Sequence, residues 1–315
     1  MSFELILPFL RPIEHLILDP DVSEIMVNAG GRVFLERHGL LSERTDIELT
    51  EKNLQVAVRN IARTLGDDVS EEQPILDARL PDGSRVAAVI PPCSIGGTTL
   101  TIRKFQTRFF TADELVRAGM LTESGLDQIR TAIEARQNVL ISGGTSTGKT
   151  TLLNALAAFL PTSDRVVIIE DTAELQIDNP NVVRFEARRQ QRELPAVTIR
   201  DLLKATLRHR PDRIIVGEVR GPEAYDLLQA LNTGHGGSLS TIHANSAPQA
   251  LVRLTSCVLQ AGVDLPYQPI RRMIADTVHV VIHIERRVGR RTVSEIIRVQ
   301  HYDAESDSYT VAPAS

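Results

Sequence analysis

The segment 140-LISGGTSTGKTTLLNALAAFL-160 runs from an apolar strand, through a loop of glycine and hydroxyl residues, into an apolar helix. Residues 143–150, GGTSTGKT, fit the pattern GxxxxGK[ST]. A strand before this pattern and a helix after it form the context in which it cradles phosphate. The glycines let successive backbone N–H groups turn inward without Cβ clashes. The helix N-terminus adds the positive end of its dipole at the same spot. Gly143, Gly144, Thr145, Ser146, Thr147, Gly148, Lys149, Thr150 and Thr151 are therefore the expected nucleotide-binding residues. Lys149 is placed to reach the β- and γ-phosphates, and the Thr150 hydroxyl to bind Mg²⁺. A solvent-exposed hinge is the plain alternative, but a hinge has no need of Lys-Thr at its end.

A phosphate cradle that hydrolyses ATP also needs acids for metal and water. The strand 212-DRIIVGE-218 ends in Gly217 and Glu218, where Asp followed by Glu is usual. The strand 166-VVIIED-171 ends in Glu170 and Asp171. In a parallel sheet these ends share the edge of the loop. Glu170, Asp171 and Glu218 join Thr150 as the Mg²⁺ candidates, and either glutamate suits a general base. The residues alone do not separate the two. The segment 233-TGHGGSLSTIHANS-246 places His235 before a double glycine and His243 at a strand end. His243 is read as a γ-phosphate reader and joins Lys149, Glu170 and Glu218 as a catalytic candidate. Arg208, Arg210 and Arg220 flank the 212–218 strand as sensor or interface candidates.

Outward from this centre, strands alternate with helices from residue 117 onward, which means βαβ units and a mainly parallel sheet. The end of the chain, from 277-TVHVVIHIERR-287 onward, alternates apolar and polar residues and reads as an antiparallel meander. It turns at Val288-Gly289-Arg290 and again at 305–307. Residues 1–105 read as a small α+β domain. It has hairpins around 29–31 and 81–83, a helix near 50–66, and a strand in 98-TTLTIRKF-105. Residues 1–18 are expected to form a helix that packs on its own domain or a neighbour. Residues 106–116 are a linker entering a helix capped by Thr111 and Glu114. Residues 117–315 form the P-loop domain. The fold class is α/β.

The 315 residues favour two domains. A net charge of −5 and a pI near 5.9 disfavour a general nucleic-acid binder. A nucleic-acid motor is the alternative reading, and no direct nucleic-acid binding is expected. Cys93 and Cys257 fit no metal cluster and read as reduced thiols of a cytoplasmic protein. No apolar run reaches the roughly 18 residues that span a bilayer.

The segments GGTSTGKTT, IIEDTAEL and LRHRPDRIIVGEVRGPEAYDLLQALNTGHGGSLSTIHANS, taken in this order, resemble the secretion and pilus-assembly ATPase superfamily. They match its Walker A, Asp, Walker B and His boxes, and Gly217 before Glu218 matches its atypical Walker B. The N-terminal segments DVSEIMVNAGGRVFLERHGLL and LTIRKF are similar to the family's first domain. Its short length looks like the conjugal-transfer TrbB and tight-adherence CpaF branch. The resemblance implies a RecA-like core, nucleotide between the two domains and a ring of six. It also implies a place in the cytoplasm at the inner membrane, with the inner-membrane components of a secretion or pilus machine as partners. It further implies that Arg85 and Arg103 meet the phosphates, and it favours Glu218 as the base.

Overall fold

The computed structural model describes residues 3–105, 109–188, 190, 194–287 and 290–314. It divides into two compact units, Met1–Thr107 and Arg108–Ser315.

The first unit opens differently from the single helix expected. Phe3–Leu5, Leu7–Phe9 and Arg11–Ile13 are separate 3₁₀ turns, followed by the short helix α1 (Glu14–Leu18). Pro8 and Pro12 stand at the start of the second and third turns, where they cannot donate to a continuous α-helical ladder. The segment still buries Ile6, Leu10, Ile13, Leu16 and Ile17 in this unit's core. Six strands follow, interrupted by one long helix: β1 (Val22–Val27), β2 (Val33–Arg37), β3 (Leu40–Arg44), α2 (Glu51–Thr64), β4 (Ile75–Arg79), β5 (Arg85–Val89) and β6 (Thr99–Arg103). They form an antiparallel sheet in the order β3-β2-β1-β6-β5-β4. Thr50 caps α2, accepting from the Asn53 N–H, and Leu54, Val58 and Ile61 at helical spacing are buried.

The second unit begins with α3 (Ala112–Arg117), whose capping box joins Thr111 and Glu114 as expected. It continues with α4 (Glu123–Glu134), β7 (Val139–Gly143), α5 (Lys149–Ala157), β8 (Val166–Glu170), β9 (Val182–Glu186), α6 (Ile199–Thr206), β10 (Arg213–Val219), α7 (Glu223–Asn232) and β11 (Leu239–Ile242). Last come α8 (Ala247–Leu259), α9 (Tyr267–Thr277), β12 (Val280–Arg287), β13 (Arg290–Asp303) and β14 (Ser308–Pro313). The sheet order is β14-β13-β12-β7-β11-β10-β8-β9.

Strands β12 to β9 in that order run parallel, while β13 and β14 are antiparallel. The meander is thus grafted on through β12, which lies parallel to β7. The Val288-Gly289 part of its expected first turn lies outside the described residues. Every residue of β7 and β8 is buried, because helices cover both faces. Ile129, Leu152 and Leu156 pack on one face, and Leu228, Leu251 and Ile274 on the other. Strand β9 was not expected. It is the sheet's outer strand and only half-buried, so it lacks a continuous apolar run.

Candidate active site

The loop between β7 and α5 takes its shape from its glycines. A Cβ on Gly143 would collide with the Ile284 carbonyl oxygen of β12, so no other residue fits there. Gly148 caps α5 with φ +99°, a left-handed conformation that glycine adopts at no steric cost. Thr147 is buried, and its hydroxyl donates to the Gly144 carbonyl oxygen at 3.0 Å. Thr145 and Ser146 are exposed, while Thr150 and Thr151 are half-buried in the first turn of α5.

Lys149 is 7% exposed, so its ammonium must find partners inside the loop. Its Nζ donates to the carbonyl oxygens of Gly143 at 3.1 Å and Gly144 at 2.8 Å. It also stands 3.4 Å from both ring nitrogens of His243. The lysine is thus threaded back over the loop it closes.

The parallel register brings the other boxes to the same edge. Ile169 of β8 pairs with Val216 of β10, and Ile242 of β11 pairs with Ser142 of β7. Glu170, Glu218, His243 and Gly143 therefore lie at or beside the carboxyl ends of four adjacent strands. His243 Nε2 lies 2.7 Å from Glu218 Oε1. The two are not aligned as a hydrogen bond, so this buried oxygen accepts none among the described residues. Glu218 Oε2 takes the Arg220 guanidinium at 2.7 Å, and the other arm of Arg220 reaches Asp171 Oδ2 at 3.2 Å. A continuous chain of charged and polar groups thus crosses the edge: Asp171, Arg220, Glu218, His243, Lys149.

Burial, then the Lys149 ammonium, lowers His243 below the ordinary imidazole value, against the pull of Glu218. The ring is therefore neutral at pH 7. Glu170 stands apart from the chain. It is 4% exposed, and burial pushes its carboxyl up to about 7. Backbone N–H groups of Glu174 and Leu175 donate to its Oε1 at 2.9 and 3.0 Å and hold that rise in check. Its side chain also explains Gly217. A Cβ there would lie 2.8 Å from Glu170 Cγ, so the glycine before Glu218 is the room Glu170 occupies.

Not every expected residue reaches this edge. His235 precedes β11, so it lies at the opposite, amino edge, with Nδ1 3.1 Å from the Ala230 carbonyl oxygen. Arg208 and Arg210 precede β10 and are exposed at that far edge too, which leaves Arg220 of the three. Arg85 and Arg103 belong to the first unit. They are direct cross-strand partners on β5 and β6, and Arg103 also faces Glu24 of β1. Arg85 reaches Asp77 at 3.4 Å.

Two polar residues outside the expected set support the edge. Glu223 at the head of α7 accepts from the backbone N–H groups of Arg220 and Gly221 at 2.6 and 2.8 Å. The glutamate that follows Gly221-Pro222 was the sequence signal for it. Ser142, buried at the end of β7, has its hydroxyl 2.9 Å from His283 Nδ1 on β12.

The family model "Type II/IV secretion system protein" matches residues 9–310. The conjugal transfer protein TrbB of Rhizobium radiobacter is 39% identical over 290 residues, covering 90% of this chain and 85% of its own. The type IV secretion system protein VirB11 of Brucella suis is 33% identical over 318 residues, covering 92% and 88%. In structure, the Legionella pneumophila ATPase DotB superposes with a TM-score of 0.65 at 24% identity, over 95% of this chain and 82% of that one, which speaks for the fold. With nearly its whole length matched by the family model and by relatives above 30% identity, the chain belongs to the type II/IV secretion system protein family.

Proposed function

We propose that this chain is the ATP-hydrolysing motor subunit of a type IV secretion or conjugation machine. One observation carries the reading: at the edge where the glycine loop enters α5, His243 stands 3.4 Å from the Lys149 ammonium and 2.7 Å from Glu218. Those groups are the ones that triphosphate cleavage requires, a cation on the phosphates and a carboxylate beside it. The relatives named for conjugal transfer and type IV secretion support the process.

The residues fit Mg²⁺. The buried Glu218 Oε1 lacks a hydrogen-bond donor among the described residues, and the Thr150 hydroxyl sits in the first turn of α5. No cluster of three metal-type side chains occurs among the described residues. This agrees with a cation held by one or two protein groups plus phosphate oxygens and water. Thr150 and Glu218 are the holders, with Asp171 behind Arg220 in support. When bound, Mg²⁺ neutralises charge on the transferring phosphoryl group.

Lys149 gives up its loop carbonyls to meet β- and γ-phosphate oxygens. His243, being neutral, offers a ring N–H to the γ-phosphate and reports its presence to Glu218. We assign the base to Glu170, although the sequence favoured Glu218. A base works best with a value near the operating pH, which is where burial places Glu170. Glu218, gripped by Arg220, suits the metal. Arg85 and Arg103 are proposed nucleotide contacts, since their pairing concentrates two guanidinium groups at one sheet position.

A ring of six at the inner membrane is the proposed assembly. Among the described residues no helix is long and apolar enough to cross a membrane. Light scattering with a non-hydrolysable ATP analogue should show six copies, and a strict monomer would sink the ring. The function itself is tested by Lys149→Ala. This variant should keep the circular dichroism spectrum and lose Mg²⁺-dependent phosphate release. Release at the wild-type rate would refute the reading.

A further inference from the structure

We propose that Arg220 is a positioning residue that latches Glu218 to Asp171, and that Glu218 must leave this guanidinium to take a divalent cation. The inference rests on the Mg²⁺-nucleotide reading of the site and deepens it. Arg220 holds Glu218 Oε2 with Nη2 at 2.7 Å and Asp171 Oδ2 with Nη1 at 3.2 Å. The two carboxylates belong to different boxes and different strands, Glu218 near the end of β10 and Asp171 directly after β8. Only a forked side chain reaches both, because a lysine ammonium is a single point charge.

The base of the fork is fixed. Glu223 accepts from the Arg220 backbone N–H at 2.6 Å, and Arg253 Nη2 donates to the Arg220 carbonyl oxygen at 3.4 Å. An exposed ion pair on a free side chain contributes little, mainly because ordering it costs entropy. Here the backbone is already held, so less of that cost remains.

The other end of Glu218 gives the latch its direction. Oε1 lies 2.7 Å from His243 Nε2 without a hydrogen bond among the described residues, so the hydrogen-bonded partner of the carboxylate is Arg220. A cation on Glu218 competes with that guanidinium. Asp171 keeps hold of the second arm of the arginine, so the released fork stays beside the site. The latch thereby keeps Glu218 parked until a cation-loaded nucleotide arrives.

The test is an equilibrium titration of Mg²⁺ against protein carrying a fluorescent ADP analogue, read by fluorescence and not by turnover. Arg220→Gln should lower the Mg²⁺ concentration at half-saturation by about threefold to tenfold, the range for one charge-assisted contact at a partly exposed site. Arg220→Lys should fall between the two. In a Glu218→Gln background the same arginine substitution should shift the midpoint by less than about twofold, since the contact it removes is already gone. An unchanged or raised midpoint in Arg220→Gln overturns the latch. So does an equal shift in the Glu218→Gln background, which would mark simple loss of a positive charge. Lys149→Ala is titrated in parallel with the nucleotide alone. If it binds like the wild type, the nucleotide reading fails separately from the latch.

Discussion

Glu170→Gln should make the protein more stable at pH 8 and leave it little changed at pH 5. In the folded chain the Glu170 carboxyl is raised from 4.5 to about 7 by burial. The folded state therefore holds a proton between those values that the unfolded state has released. A state that binds more protons loses ground as pH rises, so Glu170 costs nothing well below pH 4.5 and its full penalty above pH 7. At 1.36 kcal/mol per unit, the loss between pH 5 and pH 8 is about 2–3 kcal/mol. Glutamine keeps the shape and still accepts from Glu174 and Leu175, but it carries no charge to desolvate. His243, His279 and His283, all lowered by burial, push stability the other way below about 6.5. They cancel when variant and wild type are compared at one pH. Calorimetry should show the variant melting roughly 5–10 °C above the wild type at pH 8, with the gap mostly closed at pH 5. A gap independent of pH would refute the buried-carboxylate argument, because only titration of Glu170 makes it change.

Three further outcomes follow from the same geometry. If Glu170 is the base, Glu170→Gln should retain ATP unhydrolysed with normal Mg²⁺ dependence, whereas Glu218→Gln should raise the Mg²⁺ requirement; rapid filtration of bound ATP separates them, and normal turnover in Glu170→Gln sinks the assignment. Gly217→Ala places a methyl 2.8 Å from Glu170 Cγ, closer than carbon atoms pack, so it should cut hydrolysis at least tenfold and lower the melting temperature, while Glu170→Ala in the same chain should restore the lost stability. Arg103→Ala and Arg85→Ala should weaken ATP binding more than ADP binding in isothermal titration; an unchanged ratio in both removes them from the phosphate site.

The P-loop was legible because its geometry is local. Gly143, Gly148 and Lys149 fold their own cradle, and the strand before it and helix after it are written in the same stretch. The boxes at Glu170, Glu218 and His243 were legible because parallel strands put their carboxyl ends on one edge. The same rule placed His235, Arg208 and Arg210 elsewhere. Each precedes its strand, and chain direction alone sends such residues to the far edge. Strand β9 was hidden by its half-exposed position, and the first helix by two prolines whose 3₁₀ turns still bury an apolar face. Helices α8 and α9 drew no assignment in the sequence, although Ala247, Leu251, Leu254 and Val258 recur at helical spacing and are buried.

What the chain could not show in one dimension is who stands beside whom. Glu170 follows Lys149 by only 21 positions, and His243 by 94, yet His243 stands 3.4 Å from the lysine ammonium. The cause is strand order. Strand β11 is inserted beside β7, and β10 lies between β11 and β8. His243 therefore becomes the neighbour of both Lys149 and Glu218, while Glu170 is displaced to the far side of Gly217. The missing side chain at Gly217 belongs to the same arrangement. The glycine was visible in the sequence as part of a pattern, but its reason is an atom on the adjacent strand. A carboxylate raised toward neutrality by burial needs a wall, and here the wall is Gly217 on the strand that carries the second carboxylate. Glu170 and Glu218 are thus kept in different environments by one missing methyl group, the first buried against Gly217 and the second held by Arg220.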